Sequence, residues 1–445
     1  MNRNFSKSSS VVNRNNVYLR GKIHNIKTMK QLLRNIIVDQ KEVFQRSRVV
    51  KRMFPENLLS SEEIVVITGV RRCGKSVLLQ QIRKNFTRSD YFFNFDDDRL
   101  RDFGVEHFQL LYEVFVEMYG EQNHFFFDEI QNVSGWEHFV KRLYNSGKKV
   151  FITGSNANML SRELGTYLTG CYVSIELYPF SFIEFLHFSG EKHILEDIDG
   201  TIQRSRMLRL FNEYMQDGGF PMYLQSKNPE ILRTLYDNIL YRDVLVRNQI
   251  VNERELKELM YFAVSNIGKL FTYNSLTKVI GVKNATTVKN YISYVENTYL
   301  LCTLGKIDAS VKAQLNAPKK FYCIDNAIAL RLGYHFSEDM GRLLENMIYV
   351  ELRRRGGELF YFNNGGSSEC DFIVRDGFRV RQALQVSVSL TNQATREREI
   401  HGLLSAMNAF GLHEGYIITQ SDEDIIAEGS KVIYVLPAWR WMLRG

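Results

Sequence analysis

The stretch Val65–Ile82, VVITGVRRCGKSVLLQQI, decides the fold class. A short apolar run of β-rich residues stops at a glycine, turns through two arginines and resumes as an amphipathic helix. Gly69, Gly74, Lys75 and Ser76 stand at the spacing G-x-x-x-x-G-K-[ST], with a strand pattern before them and a helix pattern after. Glycines let the backbone wrap closely, so successive N–H groups and the helix N-terminus face phosphate oxygens. The residues expected to line a polyphosphate are therefore Gly69, Val70, Arg71, Arg72, Cys73, Gly74, Lys75, Ser76 and Val77. Lys75 would reach the β- and γ-phosphates, and the Ser76 hydroxyl would coordinate Mg2+.

Hydrolysis needs a second strand, and HFFFDEIQ at 124–131 supplies one. Three phenylalanines bury it, and Asp128 and Glu129 close it at the end where α/β sheets bind ligands. Asp128 is expected to hold Mg2+, and Glu129 to polarise the attacking water. The next strand, KKVFITGSN at 148–156, ends in Ser155 and Asn156, either of which could sense the γ-phosphate. The sequence carries neither an NKxD string for guanine nor an LSGGQ-like transporter signature, so ATP is the expected nucleotide.

Around this core the chain is long enough, at 445 residues, for about three domains. Residues 1–25 read as a disordered basic leader. Residues 1–50 hold eleven Lys/Arg against Asp39 and Glu42, so most of the net charge of +7 lies there, as suits a polyanionic partner. From 26 to 250 the pattern is a helix, then alternating strands and helices, then a helical extension. Five strands are expected, EIVVIT, DYFFNF, HFFFDE, KKVFITG and CYVSIEL, in a parallel sheet covered on both faces. Residues 251–318 show three short helical periods and then a β run, the rhythm of a winged helix-turn-helix. Asn284–Glu296 takes the recognition position, with Lys283 and Lys289 as its cations. Residues 319–445 alternate again as a third module. No segment reaches the ~18 apolar residues of a membrane span. The five scattered cysteines point to reduced thiols in the cytoplasm.

The chain resembles the AAA-type P-loop ATPases of bacteria and archaea whose C-terminal domain of unknown function is similar to PD-(D/E)xK nucleases. The strings that carry the resemblance are GVRRCGKS, FFFDEIQNVSGWE, ITGSNANML, LYPFSFIEFL, GGFPMYL, LYRDVLVR, ENMIYVELRRRG and ECDF. It implies an α/β fold: an AAA+-like parallel sheet, a winged helix, and a restriction-endonuclease-like domain. Where relatives commonly carry an arginine before PFSF, this chain has Cys171, which removes one candidate for stabilising charge on the γ-phosphate. Arg162, Arg242 and Arg247 are the substitutes, with Arg242 first.

The nuclease pattern surrounds Mg2+ with a helix carboxylate, a strand Asp and a Glu-x-Lys on the next strand. Its counterparts are Glu345, Asp371 and Gln385, with Ser387 where the lysine belongs. If Asp376–Gly377 formed a plain two-residue turn, Gln385 would face away from Asp371, so a shared site requires a bulge or a longer loop. The constellation reads as degenerate. The expectation is an ATP- and Mg2+-dependent, slow ATPase whose nucleotide state acts on a winged helix and a nuclease-like domain, with DNA or a protein as partner, no membrane, and the oligomer left open. The alternatives are an ATP-dependent binding switch with negligible turnover and an ATP-regulated metal-dependent DNA nuclease.

Overall fold

The computed structural model describes residues 26–41, 50–86, 91–155, 165, 167–191, 200–334, 339–365 and 368–444. The basic leader 1–25, Asn156 and Arg162 lie outside the described residues.

All five strands expected around the phosphate loop form one sheet. They are β1 (Ile64–Thr68), β2 (Tyr91–Asn94), β3 (His124–Asp128), β4 (Lys149–Thr153) and β5 (Tyr172–Glu176). Their order is β2-β3-β4-β1-β5, and every pairing is parallel. Continuous apolar strands form here because both faces are covered. Val65, Ile67, Phe126 and Phe151 pack into one core layer with Leu78, Leu79 and Ile82 of the helix Lys75–Arg83. Ile64, Val66, Phe125 and Phe127 point the other way, onto Leu33 and Ile36 of the helix over 26–41 and onto Trp136 and Phe139. Parallel strands all end on one side, so Thr68, Asp128 and Thr153 meet at one edge of the sheet.

The helices Thr201–Asp217, Pro221–Ser226 and Glu230–Asn238 follow, and the last runs on as a π-helical stretch, Ile239–Val246. The helices Glu253–Ser265, Tyr273–Ile280 and Ala285–Glu296 come next, with β6 (Leu270–Phe271) between the first two. β7 (Leu301–Lys306) and β8 (Lys319–Cys323) then pair antiparallel, and β6 pairs with β8. The expected division between residues 318 and 319 thus separates two hydrogen-bonded strands.

The remaining strands extend this small sheet instead of starting a separate one. β7 pairs parallel with β9 (Glu358–Asn363) through Gly305↔Phe360 and Lys306↔Tyr361. Beyond β9 lie β10 (Glu369–Asp376), β11 (Arg379–Val386), β12 (Glu414–Thr419), β13 (Asp424–Glu428) and β14 (Lys431–Pro437). The order among the described residues is β13-β14-β12-β11-β10-β9-β7-β8-β6. The helix Met340–Arg355 packs on this sheet, burying Leu344, Ile348 and Tyr349. No helix among the described residues is long and apolar enough to cross a membrane.

Candidate functional site

The phosphate loop leaves β1 through backbone that only glycine takes easily. Gly69 has φ 137° and Gly74 has φ 107°, and a Cβ on Gly69 would lie 2.1 Å from the Leu177 carbonyl oxygen. The loop can therefore lie directly on the segment after β5, where the Leu177 N–H donates to the Thr68 carbonyl at 2.8 Å. Lys75 opens the helix and is buried, with Nζ donating to the Gly69 and Val70 carbonyls at 3.1 Å each. It also stands 4.0 Å from Glu129 Oε1. Ser76 and Val77 occupy the first helical turn, whose N–H groups have no partner within the helix itself.

Across from the loop, Asp128 is buried at the end of β3. The Thr153 hydroxyl donates to its Oδ1 at 2.5 Å, and the Ser76 side chain faces it from the helix start. Burial pushes the Asp128 carboxyl up to about 6, and the Glu129 charge adds to the rise, while Thr153, Ser76 and Lys75 oppose it. The adjacent Glu129 holds φ 51°, ψ 42°, a left-handed conformation unusual for a side chain of its size. Two bonds fix it there: its N–H donates to Thr153 Oγ1 at 2.9 Å, and Gln131 Nε2 donates to its Oε2. Strain of this kind persists only where the surroundings over-determine it, and it clusters at working sites.

The loop, Asp128 and Glu129 thus come together as the sequence leads one to expect. Among the polar residues at and beyond the end of β4 the contacts fall differently. Thr153, which the sequence reading passed over, touches both carboxylate residues, whereas Ser155 is buried two residues beyond it. Arg242 is mostly exposed and pairs with Asp96 at 3.5 Å, at the loop that follows β2. Arg247 is exposed. The expectation about Cys171 needs correction. It precedes β5, and its carbonyl accepts from the Ile64 N–H at 2.9 Å, so it sits at the opposite edge of the sheet from the phosphate loop. Across β1 that separation is at least about 13 Å, too far for an arginine there to lie beside this chain's own loop without a long reach inward.

Two further residues brace the loop. Arg52 is 4% exposed; its Nη1 donates to the Cys73 carbonyl at 2.6 Å and its Nη2 to the Tyr178 carbonyl at 2.7 Å. Its Nε pairs with Glu184 at 2.8 Å. Glu184 belongs to a capping box with Ser181 and also accepts from the Met53 N–H. Burial works against the Glu184 charge, but Arg52 and these donors hold its carboxyl below the usual range. Arg71, inside the loop, makes a two-pronged pair with buried Asp243, both bonds at 3.0 Å. Asp243 lies in the π-helical stretch, a distortion often found at functional positions. The segment LYRDVLVR held this signal, but only Arg242 and Arg247 stood out in it.

In the third module, the register requirement is met. Asp376 pairs with Arg379, so the turn is Gly377–Phe378, and a bulge opens opposite Val374/Arg375. Asp371 and Gln385 then share a face: the Asp371 N–H donates to Gln385 Oε1 at 3.2 Å, and the Val386 N–H donates to Asp371 Oδ2 at 3.0 Å. Glu345 joins them through Lys320 of β8. Lys320 Nζ lies 3.1 Å from Glu345, 2.7 Å from Glu369 and 3.2 Å from Asp371. Ser387 instead turns to the Ser389 carbonyl.

Residues 61–186 match the AAA domain family, residues 208–338 a domain of unknown function (DUF8612), and residues 340–441 another (DUF4143). The chain is 32% identical to the uncharacterized protein MJ1544 of Methanocaldococcus jannaschii over 432 residues, covering 93% of this chain and 96% of that one. It is 31% identical to an uncharacterized protein of Haemophilus influenzae, covering 86% and 94%. Among solved structures it resembles the Thermotoga maritima RuvB Holliday junction branch migration motor at 14% identity and a TM-score of 0.26, covering 63% of this chain and 88% of that one. Cdc6p from Pyrobaculum aerophilum gives 12% identity and a TM-score of 0.22, covering 64% and 96%. With an AAA domain over residues 61–186 and relatives 31–32% identical along most of their length, the chain belongs to the family of AAA-type ATPases that carry C-terminal domains of unknown function.

Proposed function

We propose that the protein binds ATP with Mg2+, hydrolyses it slowly in the cytoplasm, and passes the nucleotide state to its C-terminal modules. The observation that carries this reading is the hydrogen-bonded unit of Asp128, Thr153 and Glu129, facing Lys75 and Ser76 across the loop. The donor set suits a Mg2+-bound triphosphate: a hydroxyl and a buried carboxyl for the ion, an ammonium and helix N–H groups for phosphate oxygens. When bound, the ion would neutralise charge that builds on the β- and γ-phosphates. Ser76 and Asp128 would hold it. Lys75, now resting on two carbonyls, would extend to the phosphates, and Glu129 would accept a hydrogen bond from the attacking water. The arginines support the reading of slow turnover. Arg71 is tied to Asp243 and Arg242 to Asp96, so among these residues neither lies free to meet the γ-phosphate. Arg242 is the easier to release, because an exposed pair is worth little.

The base would sit beside the loop. A cavity of about 890 Å³, lined by Arg52, Met53, Phe54, Gln81, Ile175 and Tyr178, adjoins the helix Lys75–Arg83. Coupling would run through the helix Met340–Arg355. Its Arg353 pairs with Glu176 at 3.2 Å, and Arg354 donates to the Pro179 carbonyl at 3.2 Å. Those residues flank Leu177, on which Gly69 rests.

The modules this motion reaches have a distinct chemistry. The order helix, β6, helix, helix, β7, β8 suits a winged helix-turn-helix, and Lys269, Lys278, Lys283, Lys289 and Lys312 are all exposed along this segment. We read this as a surface for nucleic-acid phosphates, joined to a nuclease-like domain that serves for docking.

The test is Mg2+-dependent phosphate release from ATP, with and without duplex DNA. Lys75→Ala should lose nucleotide binding, and Glu129→Gln should bind ATP without turning it over. Tight ATP retention with no phosphate release in the unaltered protein would instead support the binding switch.

A further inference from the structure

The sequence places serine where a metal nuclease would carry lysine, and the fold supplies a lysine from elsewhere. Lys320 is 3% exposed on β8, yet it carries an ammonium group that must be satisfied. Three carboxylates satisfy it: Glu345 from the helix Met340–Arg355, and Glu369 and Asp371 from β10, all within 3.2 Å of Nζ.

The oxygens that a divalent ion would need are already taken. Glu345 Oε1 accepts from Lys320 and from the Tyr322 hydroxyl at 2.6 Å. Asp371 Oδ1 accepts from Lys320 at 3.2 Å, and its Oδ2 from the Val386 N–H. Gln385 Oε1 accepts from the Asp371 N–H, while its Nε2 donates to Glu399. Among the described residues no group of His, Cys, Asp and Glu is arranged to hold a metal ion.

We propose that the Lys320 ammonium occupies the place of the metal in this carboxylate cluster, so that the third module works without a divalent ion and is pinned to the β6–β8 sheet by the same contact. Lys320 belongs to the small sheet after the helix-turn-helix, and its partners belong to the module beyond it. One buried cation thus joins the two. A metal-dependent centre would need those inward oxygens free, or a cation beside Lys320 on the side where a cavity of about 380 Å³ opens past Glu369, Arg342 and Glu399. The inference stands apart from the ATPase reading, and its readout involves no nucleotide.

The test follows the melting midpoint of the full chain without nucleotide, in buffer and with Mn2+, together with Mn2+ binding by calorimetry. The unaltered protein should bind no Mn2+ at this cluster and show no change in midpoint. Lys320→Met leaves the carboxylates without their cation, so the midpoint should fall by roughly 6–20 °C. Mn2+ should then restore much of the loss, and Lys320→Met combined with Asp371→Asn should not respond. Mn2+ binding by the unaltered protein that disappears in Asp371→Asn would overturn the proposal in favour of a metal site beside Lys320. A Lys320→Met protein that neither binds Mn2+ nor is restored by it would overturn it as well, because the cluster would then be no cradle for a cation.

Discussion

Replacing Asp128 with asparagine should make the nucleotide-free protein more stable near neutral pH while abolishing its use of Mg2+. The Asp128 carboxyl is displaced from its ordinary 3.8 to about 6, chiefly by burial. A carboxyl whose pKa is raised on folding favours the native state only while protonated. That contribution is complete below the unfolded value and is lost as pH rises through about 6. Two pH units at ~1.4 kcal/mol each put the penalty of the ionised form on the order of 3 kcal/mol at neutral pH. Asparagine removes the charge and keeps the bonds: Thr153 can still donate to its oxygen, and its amide can donate to Ser76. We expect Asp128→Asn to gain about 1–3 kcal/mol above pH 7, measured from urea midpoints of the nucleotide-free protein, with the gain shrinking towards pH 4. Calorimetry should show ATP binding that Mg2+ no longer strengthens. In the unaltered protein the Mg2+-dependent part should weaken about tenfold for each pH unit below 6, since the ion needs the ionised carboxyl. An Asp128→Asn protein that is less stable at neutral pH, or one whose advantage does not change with pH, would refute the burial argument.

Arg52→Met should destabilise the first module by about 3–5 kcal/mol, because it leaves the Glu184 carboxylate buried without its cation; Arg52→Met with Glu184→Leu should lose less than the single change. Denaturation of the three proteins side by side checks the order, and equal losses would contradict it. Arg71→Lys should cost nearly as much as Arg71→Ala, about 1.5–3 kcal/mol, since a lysine cannot reproduce the two-pronged contact with Asp243. Full recovery by lysine in the urea midpoint would show that only charge matters there.

The phosphate loop was legible because its chemistry is contiguous: strand, glycines, lysine and helix follow one another within eighteen residues. Four of the five strands were legible for a related reason, since each holds an apolar run buried on both faces, while the edge strand β5, only half-buried, was legible from its β-rich residues. What braces the site comes from far along the chain and has no local mark. Arg52 reaches Glu184 across 132 positions, Arg71 reaches Asp243 across 172, and Lys320 reaches Asp371 across 51. An isolated arginine or lysine in a sequence carries no sign of what it will face. The bulge between β10 and β11 shows an intermediate case. The hydrophobic pattern demanded one if Asp371 and Gln385 were to meet, but its place, and the shift of the turn to Gly377–Phe378, depended on packing in the whole sheet.

The helix Met340–Arg355 relates the two sites mechanically. Nine residues, or about 13.5 Å of helix, separate Glu345 in the Lys320 cluster from Arg354 beside the nucleotide module. The far end is held by a buried ion cluster, whose rupture is expensive. The near end is held by Arg353 on Glu176, both partly exposed, where an ion pair contributes little, and by the single Arg354 bond to the Pro179 carbonyl. Strain from a nucleotide-driven shift of Leu177 would therefore be released at the weaker end. The helix, the β6–β8 sheet and the module beyond it would then move as one body against the ATPase sheet, because β7 and β9 are hydrogen-bonded and Lys320 closes the same seam. Loosening that seam with Lys320→Met should let the two C-terminal modules respond separately, seen as a loss of the ATP-dependent change in hydrogen exchange at Glu345 while the change at Glu176 remains. Loss of both together would mean that the signal does not travel along this helix.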